Sequence, residues 1–285
     1  MVLNLALPPT ADFVINDRLI TIKAFNASET QQNLQGQAIN IIASGPSINV
    51  LNFSELQDTP TIFVNGSISL IGQHDFTRVV GYVISDARFI NHQPEILQKY
   101  YKGQPLYATL AVFEAMVVTR PDILRNYHDA MRILYPVDRP WGVKSNQSLL
   151  SKLTLKNKWL QRKKPLSYFA DSDHFMIDTS HKPAAIGVSL DITHGFVEAG
   201  TVAYVATQLA FSRQAGAIHL YGIDLINSSQ PRFYESANNS APSKLDKAVH
   251  ERIVPSFDLL IKTYKSHGVP VINHSPISQS LFNVS

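Results

Sequence analysis

The chain has 285 residues, 45% of them hydrophobic and 16% charged, with 25 Lys and Arg against 22 Asp and Glu and a formal net charge of +3. This composition supports a self-sufficient fold near the upper size of a single hydrophobic core, and it excludes a disordered chain and the dense basic stripe of a nucleic-acid binder. Cysteine is absent, which excludes disulfides, thiolate metal sites and cysteine nucleophiles and fits a reducing, cytoplasmic setting.

In chain order, Met1 to Pro9 lacks the basic start and long apolar core of a signal peptide, and no run reaches the roughly 18 apolar residues that span a bilayer. Membrane contact is therefore expected to be peripheral. Residues 10–37 alternate around Phe13-Val-Ile15 and Leu19-Ile-Thr-Ile22 before a polar stretch, so 1–37 reads as a hairpin and linker preceding a single domain over 38–285. Three apolar runs follow, Ile39–Ala43, Thr61–Val64 and Val79–Ile84, with a brief helix over Leu51–Leu56. Continuous apolar runs of this kind are strands buried on both faces, which predicts an α/β fold with a doubly wound, mainly parallel sheet.

Residues 91–182 change character and read as an inserted lobe: helical patterns over Leu106–Val118 and Asp122–Leu134, then the aromatic, proline-rich Tyr135-Pro-Val-Asp-Arg-Pro-Trp141. The basic segment Lys152 to Lys164 follows, either a solvated helix face or a patch for an anionic acceptor or membrane surface. The sheet is expected to resume after Ile186-Gly-Val-Ser-Leu190. A helix buried all round follows over Gly200–Ala210, then a strand over Ala217–Leu225 and a Ser/Asn/Pro-rich loop, Asn227 to Ser243, that reads as a lid. Leu245–Ser266 reads as a helix kinked at Pro255, and Val269–His274 as the last strand.

Ligands of open α/β sheets bind beyond the carboxyl ends of the strands. That rule selects Ser44, Gly45, Pro46 and Ser47 after the first run, Asn65 and Gly66 after the second, Ser85 and Asp86 after the third, and Asp224 after Tyr221-Gly-Ile. Gly45 permits close backbone approach, and Ser47 can cap a helix whose N–H groups face an anion such as a nucleotide phosphate. An ordinary strand-to-helix turn fits the same residues.

Ile41-Ile-Ala-Ser-Gly-Pro-Ser47, Phe63-Val-Asn-Gly66, Tyr82-Val-Ile-Ser-Asp-Ala-Arg-Phe89, Ala199-Gly200 and Tyr221-Gly-Ile-Asp-Leu225 together resemble the bacterial lipooligosaccharide sialyltransferases of glycosyltransferase family 42. The resemblance covers roughly 38–90 and 186–275. It implies a Rossmann-like domain of the GT-A variant with an inserted lid, moving a sugar acid from its CMP ester to a glycan, with no obligatory metal. It places Ser44, Gly45, Ser47 and Asn65 against CMP and Glu198, Ala199 and Gly200 against the donor, although a carboxylate at a helix start is favourable by itself.

Where the family has two tyrosines for the leaving phosphate, this chain has Ile226 and then Tyr234, with Arg232 able to contribute a guanidinium. The family's general base aligns with His250, which is a bystander on a surface helix on the bland reading; His274, at the end of the last strand, faces the expected rim and rivals it. Asp86 stands where the family has an Asn-Pro pair, so it either caps a helix or acts on the donor's anomeric carbon. Related transferases use CMP-Kdo (Kdo being 3-deoxy-manno-octulosonic acid), so sialic acid and Kdo both remain as donors, and a lipooligosaccharide or capsular glycan as acceptor. Two further readings stand beside this one. The first is a non-catalytic nucleotide- or glycan-binding module. The second is a metal-dependent UDP- or GDP-sugar transferase using Asp171 and Asp173.

Overall fold

The computed structural model describes residues 7–139, 163–225, 232–234, 248–276 and 278. Its centre is a nine-stranded sheet in the order β1-β2-β7-β6-β5-β4-β3-β10-β11, formed by β1 (Thr10–Ile15), β2 (Arg18–Ala24), β3 (Ala38–Ile42), β4 (Thr61–Val64), β5 (Val79–Ile84), β6 (Leu106–Thr109), β7 (Met131–Leu134), β10 (Ala217–Tyr221) and β11 (Val271–Asn273). From β2 to β11 every neighbouring pair is parallel, and β1 alone runs antiparallel, at the edge. The expected doubly wound parallel sheet is present.

Sequence dictates the strands through burial on two faces. Every residue of β4, β6 and β7 is buried, which suits a parallel sheet covered on both sides. One face packs against α5 (Val202–Ser212), whose Ala203–Ala210 are all buried, and α6 (Val254–Ser266). The other carries α1 (Ala87–His92), α2 (Pro94–Tyr100), α3 (Leu110–Thr119) and α4 (Pro121–Tyr127). The hairpin at 10–24 turns at Asn16 and Asp17, which have φ of 49° and 60°, as a two-residue turn between twisted strands requires. It joins the sheet through β2 and β7.

Several expected elements differ. Leu106–Val118 is not one helix: it opens with β6 and only then becomes α3. Asp122–Leu134 is α4, a turn of 3-10 helix over His128–Ala130, and β7. Both strands belong to the central sheet, so the stretch from 91 to 134 is built into the main fold rather than forming part of a separate lobe. A buried strand fused to a buried helix gives one unbroken apolar run, and periodicity cannot find the join. The helix expected over Leu51–Leu56 is replaced by two short 3-10 turns, Pro46–Val50 and Phe53–Glu55.

Ile186–Ser189 forms β9, paired antiparallel with β8 (Phe175–Asp178) in a separate two-stranded sheet; the main sheet resumes at β10. Pro255 lies in the first turn of α6, directly after a π-helical turn over Val249–Ile253. The basic segment except Lys163 and Lys164, and the expected lid except Arg232–Tyr234, lie outside the described residues.

The chain runs outward from β3 through β4, β5 and β6 to β7, then returns to place β10 and β11 on the other side of β3. The order therefore reverses between β3 and β10, the position at which open α/β sheets receive ligands.

Candidate functional site

At that reversal the turn after β3 is stitched to the end of β10. Gly45 N–H donates to Gly222 O at 2.9 Å, and Asp224 accepts from Ser47 twice, from its N–H at 2.7 Å and its hydroxyl at 2.7 Å. Ser47 therefore caps no helix. Its own N–H is taken by a carboxylate of the chain, and the 3-10 turn opened by Pro46 has Gly45 as its N-cap. A Cβ on Gly45 would collide with the Asp224 carboxylate and lie 2.6 Å from Gly222 O.

Beyond β4, Asn65 has φ 50°, a left-handed conformation that asparagine tolerates better than most residues. Its Oδ1 is buried with no hydrogen-bond partner among the described residues. Ser67 ties this turn to the sheet by accepting from Val64 N–H and donating to Ile42 O. Gly66 is the seat of the Tyr234 ring, and any Cβ there would strike it. Phe233 N–H donates to Ser44 O at 3.3 Å. Positive charge at Arg232 lies close enough to Asp86 to favour its ionised form. Arg232–Tyr234 thus crosses the rim from β3 and β4 toward Asp86.

The next part of the rim holds a cavity of about 400 Å3 between the carboxyl ends of β5, β6 and β7 and the start of α5. It unites two predicted groups far apart in sequence, Ser85 with Asp86 and Glu198 with Ala199 and Gly200. Asp86 caps α1 by accepting from Arg88 N–H at 2.9 Å, so the bland expectation for it holds, and it also receives the Arg88 guanidinium at 2.8 and 2.5 Å. Burial pushes its pKa up, but the Arg88 hydrogen bonds and charge, with Arg232 behind them, outweigh this and leave it below the usual carboxylate value. Glu198 forms an ion pair with Arg139, while its carbonyl accepts from Arg252 at 2.6 Å. Gly200 turns the chain into α5 at φ 89°, which favours glycine. Thr201, the N-cap of α5, makes no side-chain cap, so the first N–H groups of that helix are left for another acceptor.

Sequence reasoning missed Arg88, Thr109, Tyr135 and Arg139 in the cavity wall. Arg88 stands in a quoted motif, and Tyr135 and Arg139 in the proline-rich stretch, but nothing in either spacing marks a rim position.

The two candidate bases part company. His274 follows β11 and stacks on Tyr221 at 4.7 Å, with its Nε2 2.8 Å from Nδ1 of His219; it does not line the cavity. Burial lowers the pKa of His219, and burial followed by His219 lowers that of His274. His250 does not line the cavity either; it is exposed on the π-helical turn, two residues before the Arg252 that grips the Glu198 wall. His174 meets His194 in a stack at 3.5 Å, whereas His181 reaches Glu251 O at 2.8 Å.

Asp171 and Asp173 are exposed before β8 and line no part of the cavity. Among the described residues no group of three or more His, Cys, Asp or Glu is placed to hold a metal ion, and no helix is long and apolar enough to cross a membrane.

A family model described as "3-deoxy-D-manno-octulosonic acid transferase WaaZ" matches residues 26–276. A "Probable 3-deoxy-manno-octulosonic acid transferase" of Salmonella typhimurium is 26% identical over 223 residues, covering 78% of this chain and 76% of the relative. A protein of the same description from Escherichia coli is 26% identical over 241 residues, covering 84% and 78%. Among solved structures, the sialyltransferase CstII from Campylobacter jejuni, in complex with the substrate analogue cytidine-5'-monophosphate, matches with a TM-score of 0.42 and 12% identity over 88% of this chain and 86% of that one.

Proposed function

The chain belongs to the WaaZ family of 3-deoxy-D-manno-octulosonic acid transferases, and from that premise we propose that it transfers Kdo from its CMP ester to a hydroxyl of a bacterial lipooligosaccharide. It is a glycosyltransferase, and of the two sugar acids implied by the resemblance the family match names Kdo. The observation that carries the detailed reading is the cavity: the strand order brings Ser85–Asp86 and Glu198–Gly200 to one rim, beside an uncapped helix start.

In this reading the nucleoside lies over the turns after β3 and β4, along Ser44, Gly45 and Asn65 and against the Tyr234 ring that covers Gly66, with the phosphate and sugar acid directed into the cavity. β3 and β5 are two strand spacings apart, about 10 Å, a span that a nucleoside monophosphate bridges. The Asp224 carboxylate on Ser47 supports this polarity, because it repels a phosphate from the first turn and leaves that turn to neutral groups. Arg232 and Tyr234 lie between the two ends and suit the leaving phosphate.

The acceptor hydroxyl attacks the anomeric carbon, the bond from that carbon to the phosphate oxygen breaks, CMP leaves, and the hydroxyl proton passes to a base. His250 suits that role better than His274, whose ring is held between Tyr221 and His219. Asp86, kept ionised by Arg88, would stabilise positive charge developing on the sugar ring. The leaving monophosphate can be neutralised by protein donors, so no metal is required. Any membrane association would be peripheral.

A donor screen tests this. The protein is incubated with CMP-Kdo, CMP-sialic acid and UDP- and GDP-sugars, with lipooligosaccharide fragments as acceptors, and nucleotide release is followed. Release of CMP from CMP-Kdo is the expected result; turnover of UDP- or GDP-sugars alone would overturn it.

A further inference from the structure

We propose that Tyr135 is a binding residue of the cavity, its phenol donating a hydrogen bond to an oxyanion of the activated sugar acid, either the carboxylate or the phosphate. The inference rests on the reading that this cavity receives the donor, and it assigns a role to a residue that no sequence motif marks.

Tyr135 follows β7, is only 3% exposed, and lines the cavity. Its backbone is fixed, the carbonyl accepting from Phe196 N–H at 2.9 Å, yet its hydroxyl makes no hydrogen bond to any described residue. Other buried phenols are partnered: Tyr204 donates to Gly187 O and Tyr264 to Ser189 O, each at 2.8 Å. Tyr82 and Tyr101 also lack partners, but they are enclosed in the core and do not line the cavity. Unlike theirs, the Tyr135 oxygen is not enclosed, so solvent reaches it and its donor is open to a ligand that displaces water. At Tyr135 the cavity is where a partner can arrive.

The surrounding charges indicate what that partner is. Both guanidiniums of the cavity are already matched, Arg88 by Asp86 and Arg139 by Glu198. The donors left over are neutral: the phenol, the hydroxyls of Ser85 and Thr201, and the uncapped N–H groups at the start of α5. Burial raises the phenol's pKa, so it stays protonated at neutral pH and serves only as a neutral partner. A hydroxyl donor beside the positive end of an 11-residue helix is a receptor for an anionic oxygen.

The test compares wild type, Tyr135→Phe and Tyr82→Phe by calorimetric titration with two separate probes, CMP and free Kdo at millimolar concentration. A hydrogen bond to a charged group predicts that Tyr135→Phe weakens one probe by about tenfold to a hundredfold while Tyr82→Phe weakens neither. Weaker CMP binding places the phenol on the phosphate, and weaker Kdo binding places it on the carboxylate. Unchanged affinity for both probes overturns the inference. So does an equal loss in the Tyr82 variant, or a wild type that binds neither probe.

The outcomes separate this inference from the donor reading. Wild-type release of CMP alongside an unaffected Tyr135→Phe removes the inference and keeps the reading. A probe-binding defect in Tyr135→Phe, in a protein that releases no CMP, does the reverse.

Discussion

Replacing Asp224 with Ala tests whether its carboxylate clasps the point where the strand order reverses. Ser47 is 7% exposed, and its N–H and hydroxyl both donate to Asp224 at 2.7 Å. Removing the carboxylate leaves two buried donors unmet. Each costs about 1–3 kcal/mol when no substitute arrives, but the hydroxyl can turn and Asp224 is partly exposed, so water recovers a share. We expect a net loss of about 2–4 kcal/mol. At about 2 °C per kcal/mol for a protein of this size, the melting midpoint falls by about 4–8 °C. Asp224→Asn keeps an acceptor for the Ser47 N–H and should lose only about half as much. The assay is thermal unfolding at pH 7 followed by circular dichroism. An Ala variant that melts within about 1 °C of wild type would refute the clasp, as would an Asn variant less stable than the Ala variant.

Gly66→Ala should lower kcat/KM at least about tenfold by unseating the Tyr234 ring, with little change in melting midpoint; a large stability loss with normal kinetics would show that the glycine serves the core instead. His250→Asn should reduce kcat by about a hundredfold or more, whereas His274→Gln should leave it nearly unchanged; the reverse pattern in steady-state CMP release would make His274 the base. Chelator and the double substitution Asp171→Asn with Asp173→Asn should leave turnover intact, and a loss restored by manganese would reassign the chemistry to a metal. The folded pKa values of His219 and His274 lie below the ordinary 6.5, so the unfolded chain binds protons more readily. The stability they contribute is complete above pH 6.5 and falls as pH drops from there toward the lowered folded values. A His219→Gln variant should show a flatter decline in melting midpoint over that window, and an unchanged slope would show that the pair does not titrate as argued.

The legible part of the fold was the set of strands bounded by a change of character. β3, β4, β5 and β10 are apolar runs that stop at Ser, Asn or Gly, and their order along the chain was enough to place a rim. β6 and β7 were hidden because Leu106–Thr109 runs directly into the apolar helix Leu110–Thr119, and Met131–Leu134 emerges from a helix ending only a few residues earlier. Without those two strands the cavity lacks a wall. Tyr135 and Arg139 then belong to an apparent insertion, and neither can be seen as a neighbour of Asp86.

The turn after β3 shows a subtler limit. Sequence marks Gly45 as a place where a ligand can approach the backbone closely, and in the structure the group packed against it is the Asp224 carboxylate. Sequence could not say that the approaching group would be Asp224, 177 positions from Ser47, because that pairing exists only once β10 lies beside β3. The same residues that suggested a phosphate cradle therefore form a clasp carrying a negative charge. In the proposed reading the anionic end of the nucleotide lies two to four strands further along, where uncapped helix N–H groups and the Tyr135 phenol remain. Register and strand order thus change the sign of the electrostatic expectation at the first turn while leaving its steric requirement untouched, which is why a motif can locate a rim and still misplace the charge it binds.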